Sequence, residues 1–261
     1  MKQSSLFFRQ EGQRATPAQV ALSSALALLA LGAFLWVSAA RAGVTLDWSV
    51  LARYRVRIGM GFLWTVGLSL ASLVLSLLIG FLAALGSRSR FLPVSYLCKI
   101  YVQFIRGTPL IMQIFLFYYI VGTAWGVENR FWAGVIILSL FEGAYISEII
   151  RGGLQSIDGT QLEAAAAVGL DRGQTMRLVI LPQLTTRTLP ALAGQFASII
   201  KDSSLLSIIA VTELTKAMQE ISASTFALFV CYLALGLLYL CLTLPLSLLT
   251  QRLERRFRYE T

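Results

Sequence analysis

Six apolar runs separated by short polar stretches make up most of this chain, at about residues 18–40, 59–85, 97–122, 131–150, 189–211 and 226–249. Each is close to the ~20 residues an α-helix needs to cross the hydrocarbon of a bilayer. The pattern predicts an all-α polytopic membrane protein with about six transmembrane helices. The first run exceeds the ~7–15-residue apolar core of a secretory signal, so a retained span is expected, although Ser38-Ala39-Ala40 offers small residues. Arg106-Gly107-Thr108-Pro109 interrupts the third run. Broken backbone at membrane depth is tolerated only against protein or a cavity.

One polar island, residues 152–190, stands out between the fourth and fifth runs. Thr160 with Glu163 three residues later predicts a capping box, in which each side chain satisfies a free backbone N–H of the other. Four alanines, Ala164 to Ala167, favour continued helix. Gly169 suits the left-handed conformation that ends one. Asp171 with Gln174 predicts a second cap, and Pro182 predicts the end of that second helix. The island therefore reads as helix, glycine corner, helix.

Composition agrees with a membrane protein. Of 261 residues, 57% are hydrophobic and only 13% are charged. The formal net charge of +9 would suggest nucleic acid in a soluble protein. Here the bases gather at the ends of apolar runs, as topology determinants and lipid headgroup contacts do, and no nucleic-acid partner is expected. With six spans, both termini and the island share one side, and that side carries most of the bases, including the tail Arg252, Arg255, Arg256 and Arg258. This predicts a cytoplasmic island and C-terminus; Arg41, Arg53, Arg55 and Arg57 run against it. Histidine is absent, and Cys98, Cys231 and Cys241 have no metal-ligand spacing. No metal site, bound cofactor or catalysis by this chain is expected.

Five ionisable groups fall inside the apolar runs: Arg106, Glu142, Glu148, Lys201 and Asp202. Each costs ~2.5–3.5 kcal/mol at a helix centre on insertion scales, so such groups face a bundle interior or an aqueous path. Glu142 and Tyr145 share a helix face, and Glu148 with Arg151 has the spacing of a structural ion pair. Lys201-Asp202-Ser203-Ser204 cannot all point into one pocket, because adjacent helical residues face different ways.

These residues also carry a resemblance. Glu163-Ala164-Ala165, then three residues, Gly169, nine residues, Val179-Ile180-Leu181-Pro182 resembles the EAA loop of permease subunits of bacterial ABC importers. Position 179 is usually isoleucine in that pattern. Phe104-Ile105-Arg106-Gly107-Thr108-Pro109-Leu110, the stretch from Gly143 to Gly153 and Lys201-Asp202-Ser203-Ser204-Leu205 resemble the polar amino acid permeases, the histidine, glutamine, glutamate and arginine uptake group, within which opine and cystine uptake also fall. The likeness covers about residues 60–250.

The resemblance implies an extra first span in residues 1–58, a five-span permease core in 59–250 with a coupling loop at 152–190, and a basic cytoplasmic tail in 251–261. It implies coupling to the ATPase through Glu163, Ala164, Ala165, Gly169, Leu170 and Asp171. It also implies a cytoplasmic ABC ATPase dimer that binds ATP and Mg, a second permease (a copy or a paralogue), and a periplasmic or lipid-anchored solute-binding protein. The setting would be the bacterial inner membrane, with an amino acid as substrate. This chain has no GxxxxGK[ST] loop, so the energy must come from a partner. For a zwitterionic substrate, Glu142 or Asp202 would accept from the ammonium, and Arg106 or hydroxyls would donate to the carboxylate, with Tyr145 and Ser203 beside them. The same residues could instead hold the bundle together. A stand-alone secondary transporter or channel would need an internal repeat, which the sequence lacks, and would leave the capped island unexplained.

Overall fold

A computed structural model describes residues 16–43 and 46–256. The first fifteen residues and the end of the basic tail, with Phe257 and Arg258, lie outside the described residues. The described chain is helical. Pro17–Arg41 (α1), with the capping box of Thr16 and Gln19, is exposed along nearly its whole length. After the short Ser49–Arg53 (α2) come Arg55–Gly86 (α3) and Leu92–Gly107 (α4). Leu110–Phe115 (α5) continues into a π-helical turn to Gly122. Arg130–Gln155 (α6), Gly159–Ala167 (α7) and Arg172–Thr175 (α8) follow, and Leu181–Asp202 (α9), Leu214–Thr225 (α10) and Leu228–Arg256 (α11) complete the order.

Among the described residues, four single helices, α1, α3, α6 and α11, are long and apolar enough to cross a membrane. The third run is broken as its sequence requires: α4 and the α5 segment are bent by 115°. At the break, Gln113 Nε2 donates to the carbonyls of Ile105 (2.8 Å) and Thr108 (3.2 Å) and to Thr108 Oγ1 (2.8 Å). A buried amide thereby satisfies carbonyls that the bend frees. The fifth run is not one continuous helix. α9 begins at Leu181 and ends at Asp202; a 3₁₀ turn, Ser203–Ile209, and left-handed Ala210 (φ 57°) follow.

The centre is the pair α3 and α6, which approach closely because each offers a glycine to an isoleucine of the other. A Cβ on Gly143 would stand 2.8 Å from Ile79 Cγ2, and one on Gly80 2.6 Å from Ile146 Cγ2. Small residues are how membrane helices gain dispersion contact where lipid offers no hydrophobic drive. Thr65, Ser69, Ser72 and Ser76 form a buried polar face along α3, and Ser139 of α6 donates to Ser72 O at 3.3 Å. α9 packs between α6 and α11. α10, which hydropathy alone leaves as a linker, is an amphipathic helix laid against α3 and α11 with Leu214, Met218 and Ile221 fully buried.

Candidate functional site

The polar island leaves the end of α6 and turns back into α9. Its first cap differs from the Thr160–Glu163 box expected from sequence. The helix starts two residues earlier, so Asp158 is the cap and its Oδ1 accepts from Thr160 N at 3.0 Å. Thr160 then lies inside the first turn, and Glu163 points into solvent with no hydrogen bond or ion pair among the described residues. The backbone N–H of Thr160, and after it the Thr160 hydroxyl, hold the exposed Asp158 carboxyl below its usual range.

The corner forms as expected. Gly169 is left-handed (φ 81°), its N–H reaches Ala166 O and that of Leu170 reaches Ala165 O, both at 3.0 Å. Asp171 and Gln174 make a reciprocal capping box: Gln174 N to Asp171 Oδ1 is 2.8 Å and Asp171 N to Gln174 Oε1 is 2.9 Å. Pro182 does not end the second helix. A π-helical turn at Met176–Ile180, closed by the Leu181 N–H on Met176 O, shifts the hydrogen-bond frame. The proline thus enters near the start of a fresh α stretch, where its missing N–H costs little. Arg187 ties this second helix back to the end of α6 by donating to the carbonyl and hydroxyl of Ser156.

Only Ala165 of the island's alanines is buried. Its outer surface presents large apolar side chains: Val168 is 76% exposed, Leu178 61%, Met176 46% and Leu162 44%. These lie outside the apolar runs, on a rigid capped corner. Four large apolar side chains exposed on one short polar segment suit an interaction site.

Inside the bundle, the structure sorts the five candidate path residues into three places. Glu142 is fully buried on α6, accepts from Gln195 Nε2 of α9, and has the carboxyl of Asp202 beside it. Its Oε1 has no donor among the described residues. Two carboxyls and a single amide donor make a site with an acceptor to spare for a cation.

Arg106 and Tyr145 belong to a second cluster. The guanidinium lies 5.6 Å from the centre of the Tyr145 ring, which packs on Phe141 at 5.1 Å. Arg106 Nη1 is 3.5 Å from Glu148 Oε2, and Glu148 in turn accepts from Arg151 Nε at 2.9 Å. The expected Glu148–Arg151 pair forms, and Arg106 joins it.

Ser203 occupies the third place. Its hydroxyl donates to Ile200 O at 2.7 Å, on the side of α9 that is near the Tyr239 phenol of α11. Asp202 faces α6 and Ser203 faces α11, as neighbours on a helix must.

Sequence reasoning missed Gln195, seven residues before Asp202 and therefore on the same helix face, and Gln113. It also missed Glu213, the buried cap of α10. Glu213 accepts from Thr215 N (2.7 Å), Lys216 N (2.7 Å) and Tyr239 OH (2.9 Å). An acid residue directly ahead of the amphipathic α10 pattern was the available signal.

Residues 76–259 match the family model described as binding-protein-dependent transport system inner membrane component. The chain is 36% identical over 214 residues to the glutamine transport system permease protein GlnP of Escherichia coli (strain K12), covering 81% of this chain and 98% of the relative. It is 33% identical over 216 residues to the L-cystine transport system permease protein TcyB of Bacillus subtilis (strain 168), covering 82% and 92%. Among solved structures, an amino acid ABC transporter crystallised with histidines aligns with a TM-score of 0.76 at 33% identity, over 82% of this chain and all of that one. The MetNI methionine ABC transporter in an inward-facing form aligns with a TM-score of 0.67 at 15% identity, over 79% and 99%, which speaks to the fold alone.

Proposed function

We propose, because this chain belongs to the binding-protein-dependent transport system inner membrane components, that it lines the path of an amino acid importer and takes its drive through the capped loop. It is a permease subunit in a membrane; residues 59–250 are the core, residues 1–58 an added span and linker, and 251–261 a cytoplasmic tail. The observation that carries the coupling role is the exposed apolar surface of Leu162, Val168, Met176 and Leu178 on a corner fixed by Asp158, Gly169 and the Asp171–Gln174 box. Such a surface needs a partner, and a cytoplasmic ABC ATPase that binds ATP and Mg is the partner this family implies.

On this proposal Glu163, Ala164, Ala165, Gly169, Leu170 and Asp171 form the knob that the ATPase dimer grips, and ATP hydrolysis belongs to that partner. α6, at 26 residues and ~1.5 Å per residue about 39 Å long, would carry its displacement to Glu142. Glu142 or Asp202 would accept from the substrate ammonium; Arg106, over Tyr145, would meet a carboxylate once it leaves Glu148. Ser203 positions the α9 end rather than touching the substrate. A solute-binding protein would meet the face opposite the loop, and a second permease, identical or homologous, would complete the path.

The test is a mild-detergent purification of the full chain from its native membrane, paired with uptake. Glu163→Arg is expected to abolish both uptake and ATPase co-purification at unchanged membrane abundance, because it places a cation where the loop offers an anion. A chain that purifies alone and transports an amino acid into vesicles without ATP overturns the proposal in favour of a stand-alone transporter.

A further inference from the structure

Away from the transport path, α9 and α11 flank an open cleft of about 670 Å³ at the end of the bundle that carries the island. Arg187, Pro190 and Ala191 line it from α9; Gln251, Glu254 and Arg255 line it from α11. Two guanidiniums face one carboxylate. Glu254 does not neutralise Arg255: the two are sequence neighbours, about 100° apart around the helix, and neither makes an ion pair among the described residues. Arg187 uses Nη1 on Ser156 and reaches Gln183 from Nη2 at 3.4 Å, so part of its five-donor fork remains free.

The helix faces that continue from the cleft show what kind of anion fits. Leu244, Leu248, Gln251 and Arg255 fall at helical spacings of four, three and four residues and therefore share one face of α11. Leu244 and Leu248 are 46% and 51% exposed, so that face runs from lipid-facing leucines to a polar and then a cationic tip within three turns. On α9, Arg187, Pro190, Ala191 and Gly194 repeat the gradient in the same direction. The cleft is cationic at the membrane surface, and the helix faces that continue from it are apolar towards the bilayer. A soluble anion would use only the tip.

We infer that this cleft is a binding site for an anionic phospholipid. The phosphodiester lies between Arg187 and Arg255 and the acyl chains run along Leu248 and Leu244. Guanidinium forks match phosphate oxygens, and basic pockets between spans at the membrane surface are suited to anionic headgroups. Arg187 also holds Ser156 at the root of the loop, so a bound headgroup would brace the place where the island leaves the bundle.

The experiment takes the full chain in whatever complex it purifies with and exchanges it into phosphatidylcholine nanodiscs. Phosphatidylglycerol is then added in graded fractions, and retained lipid is counted by native mass spectrometry after gentle release. Wild type is expected to retain phosphatidylglycerol in preference to phosphatidylcholine. Arg255→Gln is expected to weaken that retention about fivefold, the effect of removing one arginine from an anionic surface, with Arg255→Lys in between. Arg255 has no partner within the described protein, so its loss leaves the fold intact; circular dichroism of each variant checks this. Equal retention by Arg255→Gln overturns the inference. So does displacement by excess inorganic phosphate, which would identify a soluble anion. Loss of a co-purifying protein with lipid retention unchanged would make the cleft a protein contact and also overturn it. The readout needs no transport, so it stands or falls separately from the importer proposal.

Discussion

The amide of Gln195 on α9 donates to the carboxylate of Glu142 on α6, joining helices whose contacting residues are 53 positions apart in the chain. It is the one amide donor that Glu142 has in an apolar interior, and it fixes the acid beside Asp202. Gln195→Leu should therefore strand a buried carboxylate and lower thermal stability in detergent by about 1–3 kcal/mol, the cost of an unmade buried hydrogen bond. Glu142→Gln should do the reverse: the shape and a hydrogen bond survive, and the charge for a substrate ammonium is lost. Uptake should fall by roughly 10–100-fold, the equivalent of a charge-assisted bond of about 1.5–3 kcal/mol, at unchanged melting temperature. Uptake assays and thermal unfolding on the same two variants separate the roles.

Asp158 supplies a pH test of the island. Its carboxyl is held below its ordinary value of 3.8 by the N–H of Thr160, so the charged form belongs to the capped helix. A lowered folded-state value means the cap's contribution is complete above pH 3.8 and is lost as pH falls through the lower folded value. The protection of the first-turn amides of α7, measured against their intrinsic exchange rate at each pH, should fall on acidification through that window. In Asp158→Ala the same amides should be fast at every pH. A first turn in wild type whose protection is flat across the window would show that the cap does not hold it.

Much of this was legible in the sequence, for reasons that differ by element. The apolar runs of α3, α6 and α11 state their own length and composition. The Gly169 corner and the Asp171–Gln174 box are local chemistry that needs no tertiary information. The break at Thr108–Pro109 is equally local. What the sequence left open is rotation: which face of α9 meets α6 decides that Asp202 reaches Glu142 while Ser203 turns to Tyr239, and that depends on packing by Gly153 against Thr188 and Leu184. Thr160 does not act as a cap because Asp158, two residues earlier, takes the Thr160 N–H and starts the helix ahead of it. Pro182 was mistaken for a terminus because a π-helical turn before it cannot be read from residue types. α10 was hidden because half its surface is polar.

The α3–α6 contact makes a steric prediction. Gly143 has room for no Cβ: one would lie 2.8 Å from Ile79 Cγ2, 3.0 Å from Ile79 Cβ and 3.1 Å from Tyr101 Oη. Tyr101 cannot retreat freely, because its hydroxyl donates to Leu140 O at 2.6 Å. Gly143→Ala should cost about 1–3 kcal/mol as an overpacked core position does. Gly143→Ala with Ile79→Ala should recover most of it, since the second change removes the side chain that the new Cβ meets. Gly32, with nothing near it, is the control: Gly32→Ala should leave the melting temperature unchanged or raise it slightly, through better helix propensity. Thermal melts of the four proteins check the set.

Glu213 and Tyr239 give the sharpest separation of capping from charge. Glu213 is fully buried at the start of α10, where its carboxylate takes two backbone N–H groups and the Tyr239 phenol, which also meets Thr215 Oγ1 at 2.9 Å. Thr65 Oγ1 accepts a third N–H, from Leu214 at 3.0 Å, so every early donor of the half-buried helix is assigned. Tyr239→Phe removes one donor and leaves the cap, and should cost about 1 kcal/mol. Glu213→Ala strands two N–H groups at once and leaves the phenol only Thr215 Oγ1, at about 1–3 kcal/mol for each orphaned N–H before relaxation. It should release α10 from α3 and α11 or prevent accumulation in the membrane. The double variant should be little worse than Glu213→Ala alone, because the phenol has already lost its carboxylate acceptor; non-additivity of this kind marks a shared network. Protease sensitivity within residues 211–226 locates the failure. Additive costs in the double variant would mean that Tyr239 stabilises α10 by a route other than Glu213.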